Sequence, residues 1–410
     1  MRKEIKKAPT IRFQGFTDEW EQHKLGDVCN QLTGAINPQT RPNELFVEYS
    51  MPAYDSGMKP NIVYGFTMNS TRKIVNESCL LINKLNVRKK RIWYIKNPTK
   101  NTVCSAEFIP LCSDNIDLLF LNYVVSRGAF TNYLEDCSSG SSNSQKRVTP
   151  DIIIEAKVFL PVKDEQLRIG RYFQKIDNLI TLHQRKLDQL KKLKKYFLQN
   201  LFPAKGEKVP RIRFKGFTGD WEQRKVGDVI TEVSRPIELK DDQKYQLVTV
   251  KRRNEGIISR GSILGRDILV KRYFEIHSGD YLISKRQLVH GANGIVPEAL
   301  NGAVVSNEYM VCVSNKNILA EFLALLSKTK SLKRDFFLSS YGVDIEKLVF
   351  DVQDWMKRSL YLPSLDEQEE LCKYFQKLDR LIALHQRKLN QLQTMKKFML
   401  QNLFTQTSHT

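Results

Sequence analysis

Between Gln166 and Phe202, apolar or bulky residues fall at Phe173, Ile176, Ile180, His183, Leu187, Leu190, Phe197 and Leu201, in a largely polar background. Steps alternating three and four describe the seam of a coiled coil. The same spacing returns at Phe375, Leu378, Ile382, His385, Leu389, Leu392, Met399 and Leu403. Apart from Gly170 the first stretch has no glycine, and no proline interrupts it before Pro203. Each stretch follows a proline-terminated strand, and Asp164 and Asp366 of "KDEQ" and "LDEQ" are expected as helix N-caps. Helices of this size run roughly 50 Å at about 1.5 Å per residue. Neither stripe can stand alone in water, so each helix is expected to pair with the other. The chain between them must bridge the end of one helix and the start of the next, which predicts an antiparallel pair related by a pseudo-twofold axis.

The two helices belong to a larger duplication. "IRFQGFTDEWEQHKLGDV" from residue 11 is matched by "IRFKGFTGDWEQRKVGDV" from residue 212, and "LPVKDEQ…LQNLF" from 160 by "LPSLDEQ…LQNLF" from 362. Between these anchors only echoes survive: Leu80, Ile82 and Lys84 against Tyr281, Ile283 and Lys285, and Val103, Ser105, Glu107 and Phe108 against Val304, Ser306, Glu308 and Tyr309. The pattern predicts an α+β protein with two similar globular α/β domains, separated by two long helices in an antiparallel coiled coil. The expected division is 1–24, a segment closing a pseudo-circular repeat; 25–159, first domain; 160–203, first helix; 204–227, linker and second copy of the segment; 228–361, second domain; 362–404, second helix; and 405–410, a tail.

Charge changes the picture most. Against 45 acidic residues stand 65 basic ones, a formal net charge of +20, which favours a polyanionic partner because phosphate neutralisation releases counterions. The densest basic and aromatic stretch is "NKLNVRKKRIWYIKN". There Lys84, Arg88, Lys89, Lys90 and Arg91 are candidate phosphate ligands, and Asn83, Asn86 and Tyr94 candidates for base edges or stacking. The polar loop "CSSGSSNSQKR" adds Ser144, Gln145, Lys146 and Arg147. In the second domain the candidates are Lys251, Arg252 and Arg253, then Lys285, Arg286, Gln287, His290 and Asn293, aligned by the echoes with the first set. The many cations of the first helix suit a solvated or partner-binding face better than a base-reading one.

Other chemistry is missing. The chain has no phosphate-binding glycine loop, no dinucleotide fingerprint and no amino-methyltransferase motif, so neither a catalytic nor a metal site is expected. "PDIIIEAK" spells the letters of a metal-dependent nuclease, but Asp151 and Glu155 are too close in sequence to converge from separate strands. His183 and His385 on the seam read as packed histidines. The seven scattered cysteines read as reduced thiols, and with no apolar run long enough to span a bilayer, a soluble, cytoplasmic protein is expected.

The doubled "LPxxDEQ" with its helix, and the doubled "GFTxxWE", make the chain resemble the specificity subunit of type I restriction-modification enzymes over nearly its whole length. The resemblance implies that the variable stretches are target-recognition domains for double-stranded DNA. It further implies that the helices dock two modification (methyltransferase) subunits, with restriction (ATP-dependent endonuclease) subunits beyond. S-adenosylmethionine, ATP and Mg would then belong to partner subunits, with no cofactor in this chain. One departure is visible: "SSYGVDIEKLVF" in the second domain lacks the basic pair of "SSGSSNSQKRV". A stand-alone nucleic-acid-binding regulator and a Mg-dependent nuclease are the rival classes.

Overall fold

The computed structural model describes residues 8–140, 145–204, 206–269 and 272–405. It divides into two compact units, one made of residues 1–184 and 387–410, the other of residues 185–386.

The first unit is built on two larger sheets, beside a two-stranded antiparallel pair of Glu21–Lys24 with Lys157–Leu160. A four-stranded sheet runs in the order Asn30–Gln31, Phe108–Cys112, Cys79–Asn83, Ile92–Ile95. Its strand "CLLIN" is buried at every position, which is why it reads as a continuous apolar run rather than an alternating one. A five-stranded sheet runs Ala35–Ile36, Arg72–Ile74, Thr102–Ser105, Leu45–Tyr49, Asn61–Tyr64, with one parallel pair between Leu45–Tyr49 and Thr102–Ser105. Helices Leu118–Val125 and Gly128–Asp136 cover the first sheet with their apolar faces.

The second unit repeats this plan strand for strand. Its four-stranded sheet is Ile230–Glu232, Tyr309–Ser314, Tyr281–Ser284, Asn293–Ile295, and its five-stranded sheet Pro236–Ile237, Tyr273–Ile276, Ala303–Ser306, Lys244–Val250, Ile257–Leu264. Sequences that share almost nothing therefore fold alike because the buried positions keep their spacing. One difference follows the parallel strand: the first unit has the helix Met51–Asp55, the second a single turn, Arg252–Asn254.

The long helices span Lys163–Asn200 and Leu365–Asn402, 38 residues each. Within the first unit, Phe173 stacks on Phe404 at 5.7 Å while Asp177 meets Lys396 at 2.5 Å, so the chains run in opposite directions. Within the second unit, Phe202 packs on Phe375 at 6.0 Å and Lys194 pairs with Asp379, again antiparallel. On the seam Phe173, Ile176, Leu187, Phe375, Leu378 and Leu389 are buried, and Ile180, His183, Leu190, Ile382, His385 and Leu392 are half-buried. Gly170 marks a close approach: a Cβ there would lie 2.9 Å from Asp117 Oδ1, the group that caps Leu118–Val125. The second unit caps the matching helix with Leu319, which has no side-chain cap bond, and tolerates Cys372.

The expected N-caps are corrected. Lys163 begins the first helix and Val162 O accepts from both Glu165 and Gln166 N–H, placing Asp164 inside the first turn. In the second helix Ser364 Oγ accepts from Glu367 N–H at 3.4 Å, so Asp366 likewise lies inside the first turn.

The repeated motifs lock onto one another. Arg12 of the first "IRF" forks onto Glu165, and Arg213 of the second onto Glu367. Gln166 accepts from Asp117 N–H and donates to Pro161 O, and Gln368 does the same with Leu319 N–H and Pro363 O. Ile11 N–H donates to Asn402 O and Ile212 N–H to Asn200 O, both at 2.9 Å. Trp20 meets Phe120 and Phe404 edge-on, and Trp221 meets Phe322 and Phe202 in the same way.

Candidate nucleic-acid interface

In the first unit the basic stretch forms a hairpin: strand Cys79–Asn83, a tight turn at Val87–Lys89, and strand Ile92–Ile95. The turn is stressed. Asn86 and Lys90 both hold left-handed backbone conformations, φ 53° and 49°, which asparagine adopts more readily than lysine. Asn86 N–H donates to Lys146 O at 2.7 Å, and Leu85 and Ser139 both bridge to Arg147. The hairpin and the polar loop, distant in sequence, thus form one basic surface. Lys89, Lys90 and Arg88 are exposed, with Arg88 3.0 Å from Glu135. Arg147 is 2.9 Å from Glu107, and Lys84 and Tyr94 are half-buried. Gln145 lies on the surface beside Lys146, while Ser144 falls outside the described residues.

Two candidates are corrected. Arg91 is buried and forks onto Asp55 at 2.9 and 2.7 Å, so its charge is spent inside the protein. The same guanidinium holds the Asp55 carboxyl below the usual carboxylate range. Asn83 is buried in the central strand, its Nδ2 donating to Glu107 O at 3.4 Å, where no base can reach it.

The second unit places the equivalent hairpin at Tyr281–Ser284, Leu288–His290 and Asn293–Ile295. Its polar groups are more tied to one another. Arg252 donates to Gln287 Oε1 and Glu346 Oε2, both at 2.8 Å. His290 Nε2 lies 3.3 Å from Glu346 Oε1, within ion-pair range but not aligned for a hydrogen bond. Arg286 pairs with Glu308, Lys285 donates to Asn307 O, and Lys251 and Arg253 are exposed. Arg253 is again left-handed, at φ 62°. Asn293 is corrected: it is buried and accepts from Tyr281 Oη at 2.8 Å and Asn254 Nδ2 at 3.2 Å, forming part of the support beneath the turn.

Sequence reasoning passed over the acids that organise this surface, Asp55, Glu107, Glu308 and Glu346. Glu107 and Glu308 mark the register of the repeat, and an acid held at one place in two diverged copies is the signal the sequence offers for them. In the nuclease-like stretch, Pro150–Ile154 is a short helix and Glu155 pairs with Lys24 at 2.6 Å. Among the described residues no group of three His, Cys, Asp or Glu could hold a metal ion, and no helix is long and apolar enough to cross a membrane.

A cavity of about 920 Å³ in the first unit lies away from the hairpin, against the long helices, and is lined by Arg127, Asp177 and Lys396 among others. Arg127 donates to Thr405 O at 3.0 Å and sits 5.0 Å above the Phe404 ring, and burial pulls its guanidinium down to about 10.

The duplicated scaffold thus presents a hairpin-and-loop surface in each copy. Comparison with known families names the class. Residues 17–192 and 218–394 each match the type I restriction modification DNA specificity domain, and the chain belongs to that family. It is similar to the type I restriction enzyme MjaVIII specificity subunit of Methanocaldococcus jannaschii, with 22% identity covering 95% of this chain and 92% of that one. In fold it matches the crystal structure of a type I restriction-modification system S subunit from M. genitalium at a TM-score of 0.60, with 13% identity and coverage of 98% and 100%. The HsdS subunit from Thermoanaerobacter tengcongensis overlays less closely, at a TM-score of 0.45 and 17% identity, covering 94% and 96%.

Proposed function

We propose that this chain is the DNA sequence-recognition subunit of a type I restriction-modification complex. Each domain reads one half of a bipartite site in double-stranded DNA, and the two long helices fix the separation and dock two methyltransferase subunits. The observation carrying the reading is the recurrence, in both units, of the same hairpin and loop as a basic surface. Docking is supported by the outer faces of the helices, where Leu182 and Leu384 are 46% and 49% exposed, Leu193 and Met395 both 39%, and Tyr196 and Phe398 50% and 52%. Matched apolar residues left in water at repeat-equivalent positions suit two copies of one partner. The chain itself is non-catalytic in this reading; S-adenosylmethionine, ATP and Mg sit on modification and restriction subunits, in the cytoplasm.

The test is to purify the chain alone and with a cognate modification subunit and challenge each with a randomised duplex library. Adenine or cytosine methylation at a split motif by the mixture only is expected. Tight site-specific binding by the lone chain, with no gain from the partner, would favour the stand-alone regulator. Cleavage by the lone chain with Mg would overturn the assignment.

A further inference from the structure

In both units a three-way junction of main-chain hydrogen bonds centres on one glutamate. Glu107 lies between strands Thr102–Ser105 and Phe108–Cys112, and Glu308 between Ala303–Ser306 and Tyr309–Ser314. Glu107 O accepts from Lys84 N–H at 2.9 Å, and Glu308 O from Lys285 N–H at 3.0 Å. The carbonyls of those lysines accept in turn from the returning loop, from Val148 N–H at 3.0 Å and from Phe350 N–H at 2.9 Å. Turn, hairpin and loop are therefore pinned together identically in the two copies.

Each glutamate side chain also holds one arginine. Glu107 accepts from Arg147 Nη2 at 2.9 Å, and Glu308 accepts from Arg286 Nε. These arginines do not correspond. Counting from the junction, Arg147 matches Val349 and Arg286 matches Leu85, and Leu85 and Arg147 face each other across a bridge. An arginine and an apolar residue have exchanged sides between the copies, while the carboxylate that receives the guanidinium has stayed in place.

One exposed ion pair contributes little to stability. A pair rebuilt from the opposite side around a fixed acid calls for a use beyond stability. A carboxylate on one edge of a guanidinium holds its plane and leaves the remaining donors of the fork for a second partner. It also cancels the charge, so the arginine adds little to general phosphate attraction and gains only where an acceptor pair lies in line with it. In the major groove that acceptor pair is guanine O6 and N7.

Resting on the DNA-recognition reading above, we propose that Glu107 and Glu308 are positioning residues for sequence specificity, each aiming one arginine, Arg147 or Arg286, at a guanine edge in its half-site. The test uses the full chain assembled with its modification partner, on the duplex selected from the library, on duplexes with each base pair changed singly, and on an unrelated duplex. Glu107→Gln keeps the size and an acceptor oxygen and removes the charge. It is expected to bind the unrelated duplex a few-fold more tightly and to lose about tenfold discrimination at one G·C pair of one half-site. Glu308→Gln should do the same in the other half-site only. Arg147→Gln should lose discrimination at the same base pair as Glu107→Gln, with the double variant no worse than Arg147→Gln alone. A merely structural glutamate would weaken binding to all duplexes alike, and that result would overturn the proposal. If Glu107→Gln fails to fold, undiminished discrimination by Arg147→Gln overturns it equally. Selection of no site by the unaltered complex is a separate failure, that of the DNA-recognition reading, and is visible before any variant is made.

Discussion

Arg12 donates to both carboxylate oxygens of Glu165, at 2.8 and 2.7 Å, and the acid it grips is fully buried in the first turn of a long helix. Arg213 repeats the fork on Glu367 at the same two distances. Removing one partner strands the other charge away from water. Arg12→Ala is expected to destabilise the first unit by about 3–5 kcal/mol, read as faster hydrogen exchange in strand Cys79–Asn83. The double change Arg12→Met with Glu165→Leu should cost much less, because no uncompensated charge remains.

Phe404 lies far from Trp20 in sequence yet closes the same core, stacking on Phe120 at 5.7 Å. A chain ending at Asn402 loses Leu403 and Phe404 and should weaken the first unit by about 3–5 kcal/mol or more. Hydrogen exchange should rise in Cys79–Asn83 and stay unchanged in Tyr281–Ser284 of the other unit.

Leu187 and Leu389 are buried, whereas Leu182 and Leu384 on the same helices face water. Leu187→Ala and Leu389→Ala should each cost about 2–5 kcal/mol in denaturant unfolding. Leu182→Ala and Leu384→Ala should stay within about 0.5 kcal/mol of the parent. The latter pair should instead reduce co-sedimentation with the modification subunit; unchanged co-sedimentation would argue against the outer faces as the docking surface.

Lys89 and Lys90 stand in solvent while their neighbour Arg91 is buried against Asp55. Changing both lysines to alanine should weaken binding to every duplex and reduce the salt slope by about two, measured by anisotropy across a salt series. Arg91→Ala should lower the stability of the first unit and leave the slope of the folded fraction unchanged.

The Arg91 pairing also sets a pH dependence. Asp55 titrates below its ordinary range because Arg91 hydrogen-bonds the carboxylate. A depressed acid adds stability that is present above its unfolded pKa, about 4, and is lost as pH falls through the folded value. Asp55→Asn should therefore be less stable than the parent at neutral pH, with the two curves converging in acid; partial exposure of Asp55 keeps the gap small.

The helices, their seam and the duplication were legible because each rests on local periodicity or on literal repetition. The α+β plan of two like domains followed from the same anchors. The candidate surface was only partly legible, because "NKLNVRKKRIWYIKN" does not reveal which side chains turn inward. Arg91 looked like its neighbours until Asp55, 36 residues earlier, was found beside it. Asn83 and Asn293 were misjudged for the same reason: an amide at a strand end serves equally well as support or as contact, and only burial separates the two. The helix starts were misplaced because Val162 and Ser364 already supply the acceptors that Asp164 and Asp366 were expected to provide.

The two units, so alike once folded, are unlike in the order of their making. Residues 185–386 are one uninterrupted stretch, whereas the other unit needs residues 387–410 to complete what residues 1–184 begin. On the ribosome the continuous unit has all its parts first, and its partner must keep the pocket for Leu403 and Phe404 unfilled while the intervening residues emerge. The domain translated first is thus the one finished last.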